Sequence, residues 1–274
     1  MNEVNEVQET RKYSRKGFVK TTGMVTAGAV LGGPVLAMLG CSPLEVSEGN
    51  VAAEIPALPW AYEKLDVELV RKRGYDAYFE GGCCYGAAKA LIDTLRETSG
   101  GPWETLPTDM FRYGSGGIYS WGTICGALNS SLAINALASK NHADLGNELM
   151  GWYTLFPFPS DKHEAYCKIP NQITTVANSP LCHVSVSTWV NANDPKARVN
   201  EPEKAERCAK VTGDTAAHMA QLLNDNLESS FAVTYAAPEA MAHCMSCHQG
   251  KDSMLDNQQG KMNCLSCHDD HTKQ

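Results

Sequence analysis

Residues 201–227 read EPEKAERCAKVTGDTAAHMAQLLNDNL, and their buried-type side chains recur every three or four positions. One face of a helix with this period would carry Ala205, Cys208, Thr212, Ala216, Met219, Leu223 and Leu227. Pro202 stands near the start, where proline is tolerated in the first helical turn. The stretch therefore predicts one long amphipathic helix.

Three upstream runs show the same period and predict further helices. Their members are Cys84, Ala88, Leu91 and Leu95; then Trp121, Cys125, Leu128, Leu132 and Ala136; then Leu145, Leu149, Trp152 and Phe156. Glycine-rich breaks at 99–101 and 114–117 and proline-containing loops at 157–159 and 170–180 separate them. Strand-like alternation of useful length is missing from the sequence. The fold class is mainly α: a bundle of four or five helices over 42–235, then a short irregular segment over 236–274.

The composition is that of a globular protein, with 274 residues, 43% hydrophobic and 20% charged. A formal net charge of −8 argues against a nucleic-acid binder, which needs a basic face. The acidic balance instead favours a basic protein partner, such as a redox protein.

Residues 1–41 have the features of an export signal. Basic residues over 11–20 precede the small, apolar and uncharged stretch 21–40. Residues 14–20, SRKGFVK, resemble the twin-arginine signal, with Lys16 in place of the second arginine. Cys41 is compatible with a lipoprotein boundary, and a plain signal cleavage nearby is the alternative. Either route predicts a mature chain outside the cytoplasmic membrane, in the periplasm, with a membrane attachment only through a lipid on Cys41.

Two Cys-x-x-Cys-His motifs stand 20 residues apart near the C-terminus. In each, two thiols reach the two vinyl groups of one porphyrin, and the adjacent imidazole ligates the iron. The motifs predict covalent attachment of two haems c through Cys244, Cys247, Cys264 and Cys267, with His248 and His268 as proximal ligands. The same four cysteines also fit the spacing of a zinc ribbon, which does not require the two histidines.

The sixth ligands of the two irons are open to several residues. His271 is the first candidate and His243 the second, each more suited to the haem of the other motif or of a second subunit than to its own. Met254 or Met262 would instead give a higher potential. His142 and His163 are interpreted as surface or capping histidines, and His183 is a neighbour of Cys182.

Six further cysteines lie between residues 83 and 208. Cys83, Cys84, Cys125 and Cys208 fall on or beside helix faces that point inward, while Cys167 and Cys182 are predicted in the intervening loop. Cysteines on apolar faces are usually inert, and exported proteins also form disulfides. Thiols from separate helices that converge at one end of a bundle can instead ligate an iron–sulfur cluster.

Four segments around these cysteines resemble the C_GCAxxG_C_C family: residues 82–86, GCCYG; 121–129, WGTICGALN; 179–185, SPLCHVS; and 206–209, ERCA. Together with the two haem motifs, residues 55–274 resemble the split-Soret cytochromes c of sulfate-reducing bacteria. The resemblance implies a homodimer, two close haems with bis-histidine ligation, one ligand crossing between subunits, and a [2Fe–2S] cluster. It implies Cys83, Cys125, Cys182 and Cys208 as cluster ligands. Helical phase alone favours Cys84 over Cys83, and Cys167 is an alternative to Cys182.

The sequence predicts an electron-transfer cytochrome with saturated haem irons. It offers no recognisable catalytic residues: no paired carboxylates, no nucleophile elbow and no phosphate loop. The alternatives are a small reductase with one open haem coordination site and a haem-binding interaction module.

Overall fold

The computed structural model describes residues 56–193, 201–253, 255–256 and 259–271. The predicted export signal, Cys41 and Met254 lie outside these residues. Among the described helices, none is both long and apolar enough to cross a membrane.

The described residues form six α-helices, joined by 3-10 turns and loops. They are α1 (Val67–Thr98), α2 (Gly126–Ala138), α3 (His142–Leu155), α4 (Cys182–Ala192), α5 (Pro202–Leu227) and α6 (Glu239–His248). Within the described ranges, β-structure is limited to two isolated antiparallel bridges, Ile124 with Leu181 and Phe158 with Thr175. The mainly helical class predicted from the sequence is confirmed.

Helix α5 is the central element of the bundle, and Pro202 is its first residue, as predicted. It packs along α1, and the two backbones approach closely where Gly74 faces Gly213. A methyl group on Gly74 would lie 3.0 Å from the Cα atom of Gly213. The crossing thus depends on the absence of side chains at both positions.

Helix α1 reverses direction at Gly82, whose φ of 81° and ψ of −176° are not helical. Arg73 donates to Thr94 Oγ1 at 3.0 Å and forms an ion pair with Glu97 at 2.8 Å. Residues 21 apart would be about 30 Å apart along a straight helix. The two limbs, 67–81 and 83–98, therefore pack side by side, and glycine is the residue that permits the required φ.

The predicted helix that begins at Trp121 is wrong in its first turn, because α2 starts only at Gly126. Residues 116–120 and Gly122 all have positive φ, so this backbone is left-handed and cannot continue into an α-helix. Trp121 is 83% exposed as a result. Cys125 stands at the N-cap of α2 instead of on its apolar face.

The loop predicted around Cys182 is also wrong, because Cys182 is the first residue of α4. Val184, Val186 and Val190 give this segment low intrinsic helix propensity. Tertiary packing compensates, since Trp189 is buried and donates from its indole nitrogen to the carbonyl of Ile173 at 2.9 Å.

The contact between α3 and α5 includes a flat stack of Trp152 on His218, with ring centroids 3.9 Å apart. Burial lowers the pKa of His218 from 6.5 to about 4, with Glu148 partly opposing the shift. The imidazole is therefore neutral in the folded protein at pH 7.

The lowered pKa of His218 predicts a loss of stability on acidification. Between pH 6.5 and 4 the unfolded chain binds a proton on His218 that the folded chain does not bind. The free energy of unfolding therefore falls as the pH falls, and at pH 5 this residue has reduced it by about 2 kcal/mol relative to pH 7.5. His218→Gln should lose stability at pH 7.5 through the missing stack, and its deficit relative to the wild type should shrink at pH 5. Thermal unfolding of both proteins at the two pH values measures this. A deficit that grows at pH 5 contradicts the assignment.

Candidate functional site: a buried thiol cluster and a C-terminal pair of haem motifs

Cys125 and Cys182 are brought together by a short antiparallel pairing of their backbones. The amide of Cys125 donates to the carbonyl of Pro180 at 2.9 Å, and the amide of Cys182 donates to that of Thr123 at 2.7 Å. Both cysteines stand at helix N-termini, those of α2 and α4. The partial positive charge at a helix N-terminus favours the thiolate form.

Cys83 reaches this pair from the start of the second limb of α1. Its thiol lies close to Gly126, where a methyl group would be 2.7 Å from the sulfur. The hydrogen bond between the two thiols raises the pKa of Cys83 well above its usual value and lowers the pKa of Cys125 to about 6. The contact between the two buried thiols therefore opposes the ionisation of both at once.

Cys208 of α5 completes a group of four interacting thiols, called here the thiol cluster: Cys83, Cys125, Cys182 and Cys208. Burial, Cys125 and Cys208 together raise the pKa of Cys182 to about 12. The Tyr78 hydroxyl adjoins the cluster, since burial and the charges of all four thiols raise its pKa. The four groups cannot all ionise without a compensating cation, such as bound iron.

The thiol cluster is not a closed site for a single ion. Across the described part of the chain, no three His, Cys, Asp or Glu side chains converge closely enough to hold one metal ion. Ligands of a two-iron cluster divide between two irons, so their sulfur atoms span a wider space.

The two other central cysteines have different surroundings. Cys84 is fully buried against Ser130 and Gly114, on the core face of α1 that the helical period predicts. Cys167 is not part of the thiol cluster. It lies near Tyr75, whose hydroxyl donates to Glu206 at 2.7 Å. The structure therefore brings Cys83 to the other three thiols. Cys84 also lies against Gly126 and senses the charge of Cys125, but its thiol is directed to Ser130 and Gly114, and Cys167 lies apart.

The thiols are also surrounded by three residues that belong to no sequence motif: Tyr78, Tyr153 and Arg207. Arg207 donates through Nη2 to Ser185 Oγ at 2.7 Å, and its Nε has no hydrogen-bond partner among the described residues. The hydroxyl of Tyr153 interacts with both Cys125 and Ser185. Sequence spacing does not identify Tyr78 or Tyr153 as neighbours of the thiols. For Arg207 the sequence offers one indication, its position next to Cys208.

The C-terminal motifs lie close to one another. Cys244 and Cys247 are near the end of α6, and Cys264 begins a 3-10 turn that carries the second motif. Partial burial and the neighbouring thiol of Cys264 raise the pKa of Cys244. The imidazoles of His248 and His271 have centroids 5.8 Å apart and are nearly perpendicular. His243 and His268 are exposed.

A cavity of about 520 Å³ separates α3 from the C-terminal segment. Its apolar lining includes the methionines Met150, Met241, Met245 and Met262. His248 follows Met241 and Met245 by seven and three residues and shares their face of α6. The cavity thus adjoins the helix face on which His248 stands.

The remaining histidines are differently placed. His163, predicted at the surface or a helix cap, is fully buried and contacts Asp214 at 3.0 Å and Tyr166 at 3.0 Å. The prediction is wrong because Asp214 and Arg71 form a buried ion pair that the ring joins. His142 is the first residue of α3, and His183 packs against Gly122.

Residues 85–222, about half of the chain, match the family described as a "redox-active protein (C_GCAxxG_C_C)". The chain belongs to the C_GCAxxG_C_C family. The match contains Cys125, Cys182 and Cys208 and begins just after Cys83. Membership gives the chain a redox role.

Two further comparisons cover more of the chain. It is 29% identical over 254 residues to the split-Soret cytochrome c of Desulfovibrio desulfuricans, covering 90% of each protein. A solved structure of that cytochrome, described by its "novel iron centre", matches with a TM-score of 0.70 and 29% identity. This second match covers 78% of the chain and 92% of the solved one.

Glu148 of α3 connects the helical bundle to the C-terminal segment. Its carboxylate accepts from the amides of Thr234 and Tyr235 at 3.0 and 2.9 Å, and from the Thr234 hydroxyl. The ring of Tyr235 then lies directly on Gly151.

Replacing Glu148 should release this connection. Glu148→Gln removes the charge that makes these hydrogen bonds strong, so residues 228–238 should be cut several-fold faster by a protease of low specificity. Limited proteolysis with mass spectrometry measures the rate. Asp144→Asn, in the exposed first turn of the same helix, should cleave like the wild type. Equal rates for the wild type and Glu148→Gln would contradict the role of Glu148.

Proposed function

We propose that this chain is a dihaem c-type cytochrome that transfers electrons between redox proteins and carries a [2Fe–2S] cluster. The observation that carries the proposal is the presence, in one chain, of two Cys-x-x-Cys-His motifs and a separate group of four interacting thiols. Haem and iron–sulfur clusters use these donor sets. The similar Desulfovibrio protein is named a cytochrome c and described as having an iron centre.

The haems would be attached through Cys244 and Cys247 in the first motif and Cys264 and Cys267 in the second, with His248 and His268 as proximal ligands. The apolar cavity next to α6 fits a porphyrin better than a zinc ion, because a zinc ribbon needs only its four thiolates. The proximity of His271 to His248 supports His271 as the sixth ligand of the first haem. His243 is the second candidate.

The cluster would be held by Cys83, Cys125, Cys182 and Cys208. A bound cluster supplies one-electron chemistry, and the chain's own residues exclude water from it and compensate its charge. Cys83 and Cys125 are 7% and 6% exposed, so their side of the site is shielded from solvent, while Cys182 and Cys208 are half-buried. Free thiols at Cys83 and Cys125 would leave two strongly interacting ionisable groups in the core. Ligation of both to iron removes this unfavourable interaction.

The sequence supports the cellular setting of this proposal. The twin-arginine-like signal would export a folded, cluster-loaded chain to the periplasm, and Cys41 offers a lipid attachment site. The resemblance to split-Soret cytochromes supports a homodimer. The acidic net charge favours basic redox partners.

Haem and iron analysis of the purified exported protein tests the proposal. We expect two haems per chain that resist acid–acetone extraction, because thioether bonds hold them, and two further iron atoms that are not in haem. The oxidised spectrum should be low-spin, and the reduced protein should not bind carbon monoxide. A colourless protein that contains zinc would contradict the haem assignment. Carbon monoxide binding would instead favour the reductase alternative, and iron equal to haem would remove the cluster.

A further inference from the structure

Arg207 is buried without a carboxylate partner among the described residues. It is 2% exposed, and none of the ion pairs in the described ranges involves its guanidinium. Its Nη2 donates to the neutral hydroxyl of Ser185, and its Nε has no partner in the part of the chain that the structure describes. A buried cation in this condition is costly unless an anion lies nearby.

The other buried basic side chains of the described bundle are compensated. Arg71 pairs with Asp214, which also contacts His163. Lys210, three residues after Arg207 on α5, is fully buried and pairs with Glu164 at 2.9 Å. Arg207 is thus an exception to the pattern of its own surroundings.

The groups on which Arg207 acts are those of the thiol cluster. Its charge interacts with Cys125, Cys182 and Tyr153, and Cys208 is its neighbour in sequence. Neutral thiols or disulfides at these positions would leave the cation uncompensated, and ionisation of Cys125 alone would supply a single negative charge. Thiolates bound to iron would provide the missing negative charge.

We propose that Arg207 is the counter-ion of an iron–sulfur cluster bound by the thiol cluster, and that it sets the cluster's retention and reduction potential. The inference rests on the proposed function. An oxidised [2Fe–2S] cluster with four thiolate ligands has a formal charge of −2, and a reduced one carries one more electron. The guanidinium stabilises both states and stabilises the more negative, reduced state more, which raises the potential. Arg207 is a positioning residue in this scheme, since the thiolates bind the iron.

Substitutions that separate charge from shape test the role of Arg207. Arg207→Lys keeps the charge, and Arg207→Met keeps most of the volume without the charge. Arg207→Gln is a second uncharged variant, which can still form a hydrogen bond to Ser185 and serves if Arg207→Met does not accumulate. Lys210→Gln is the matched control, because it removes a buried cation that Glu164 already neutralises. Each purified holoprotein is assayed for non-haem iron per haem and for the midpoint potential of the non-haem signal by EPR-monitored titration.

We expect Arg207→Met and Arg207→Gln to lose most of their non-haem iron or to show a more negative midpoint potential. Arg207→Lys should stay near the wild type, and Lys210→Gln should keep the wild-type iron content and potential. Wild-type values in the uncharged variants would overturn the proposal. Equal losses in Arg207→Lys and Arg207→Met would also overturn it, because shape instead of charge would then be responsible. A wild-type protein without non-haem iron would refute the proposed cluster itself, which is a distinct result.

Discussion

The reversal of α1 at Gly82 is the constraint on which the rest of the structure depends. A straight helix of this length would carry Tyr78 and Cys83 away from α5 and α2. Because the chain turns back, its first limb packs on α5 while its second limb begins with Cys83 next to Gly126. The turn also restarts the helical phase, so the adjacent cysteines have different surroundings: Cys84 faces the core, and Cys83 faces the other thiols.

The electrostatics of the bundle follow from this arrangement. Four neighbouring thiols, two of them buried and two half-buried, cannot all be charged on their own, and Arg207 lies beside them without a carboxylate partner in the described residues. A bound cluster would resolve both conditions, because its iron compensates the thiolates and its remaining negative charge compensates Arg207. Glu148 of α3 fixes the segment that leads to the haem motifs, and Tyr153 of the same helix interacts with Cys125, so α3 contacts both parts of the proposed electron path.

The features that could be predicted from the sequence are those with strong local signals. Residues 202–227 carry an uninterrupted helical period, and Cys-x-x-Cys-His is a local chemical motif. The start of α2 and the existence of α4 were missed because they depend on tertiary contacts: the left-handed backbone of residues 116–120 and the packing of Trp189. His163 was misjudged for the same reason, since its burial follows from a distant aspartate, Asp214. Cys83 was implied only by resemblance, because periodicity cannot anticipate a reversal at Gly82.

The central claim is that the reversal at Gly82 selects Cys83, and not Cys84, for an iron centre shared with Cys125, Cys182 and Cys208. The most direct measurement compares Cys83→Ser with Cys84→Ser in the purified haem-loaded protein, by non-haem iron content and the EPR signal of the reduced cluster. We expect Cys83→Ser to lose most of the non-haem iron or change its EPR signal, with both haems retained, while Cys84→Ser keeps the wild-type iron and signal. Loss of the iron in Cys84→Ser, with Cys83→Ser unchanged, would contradict the account.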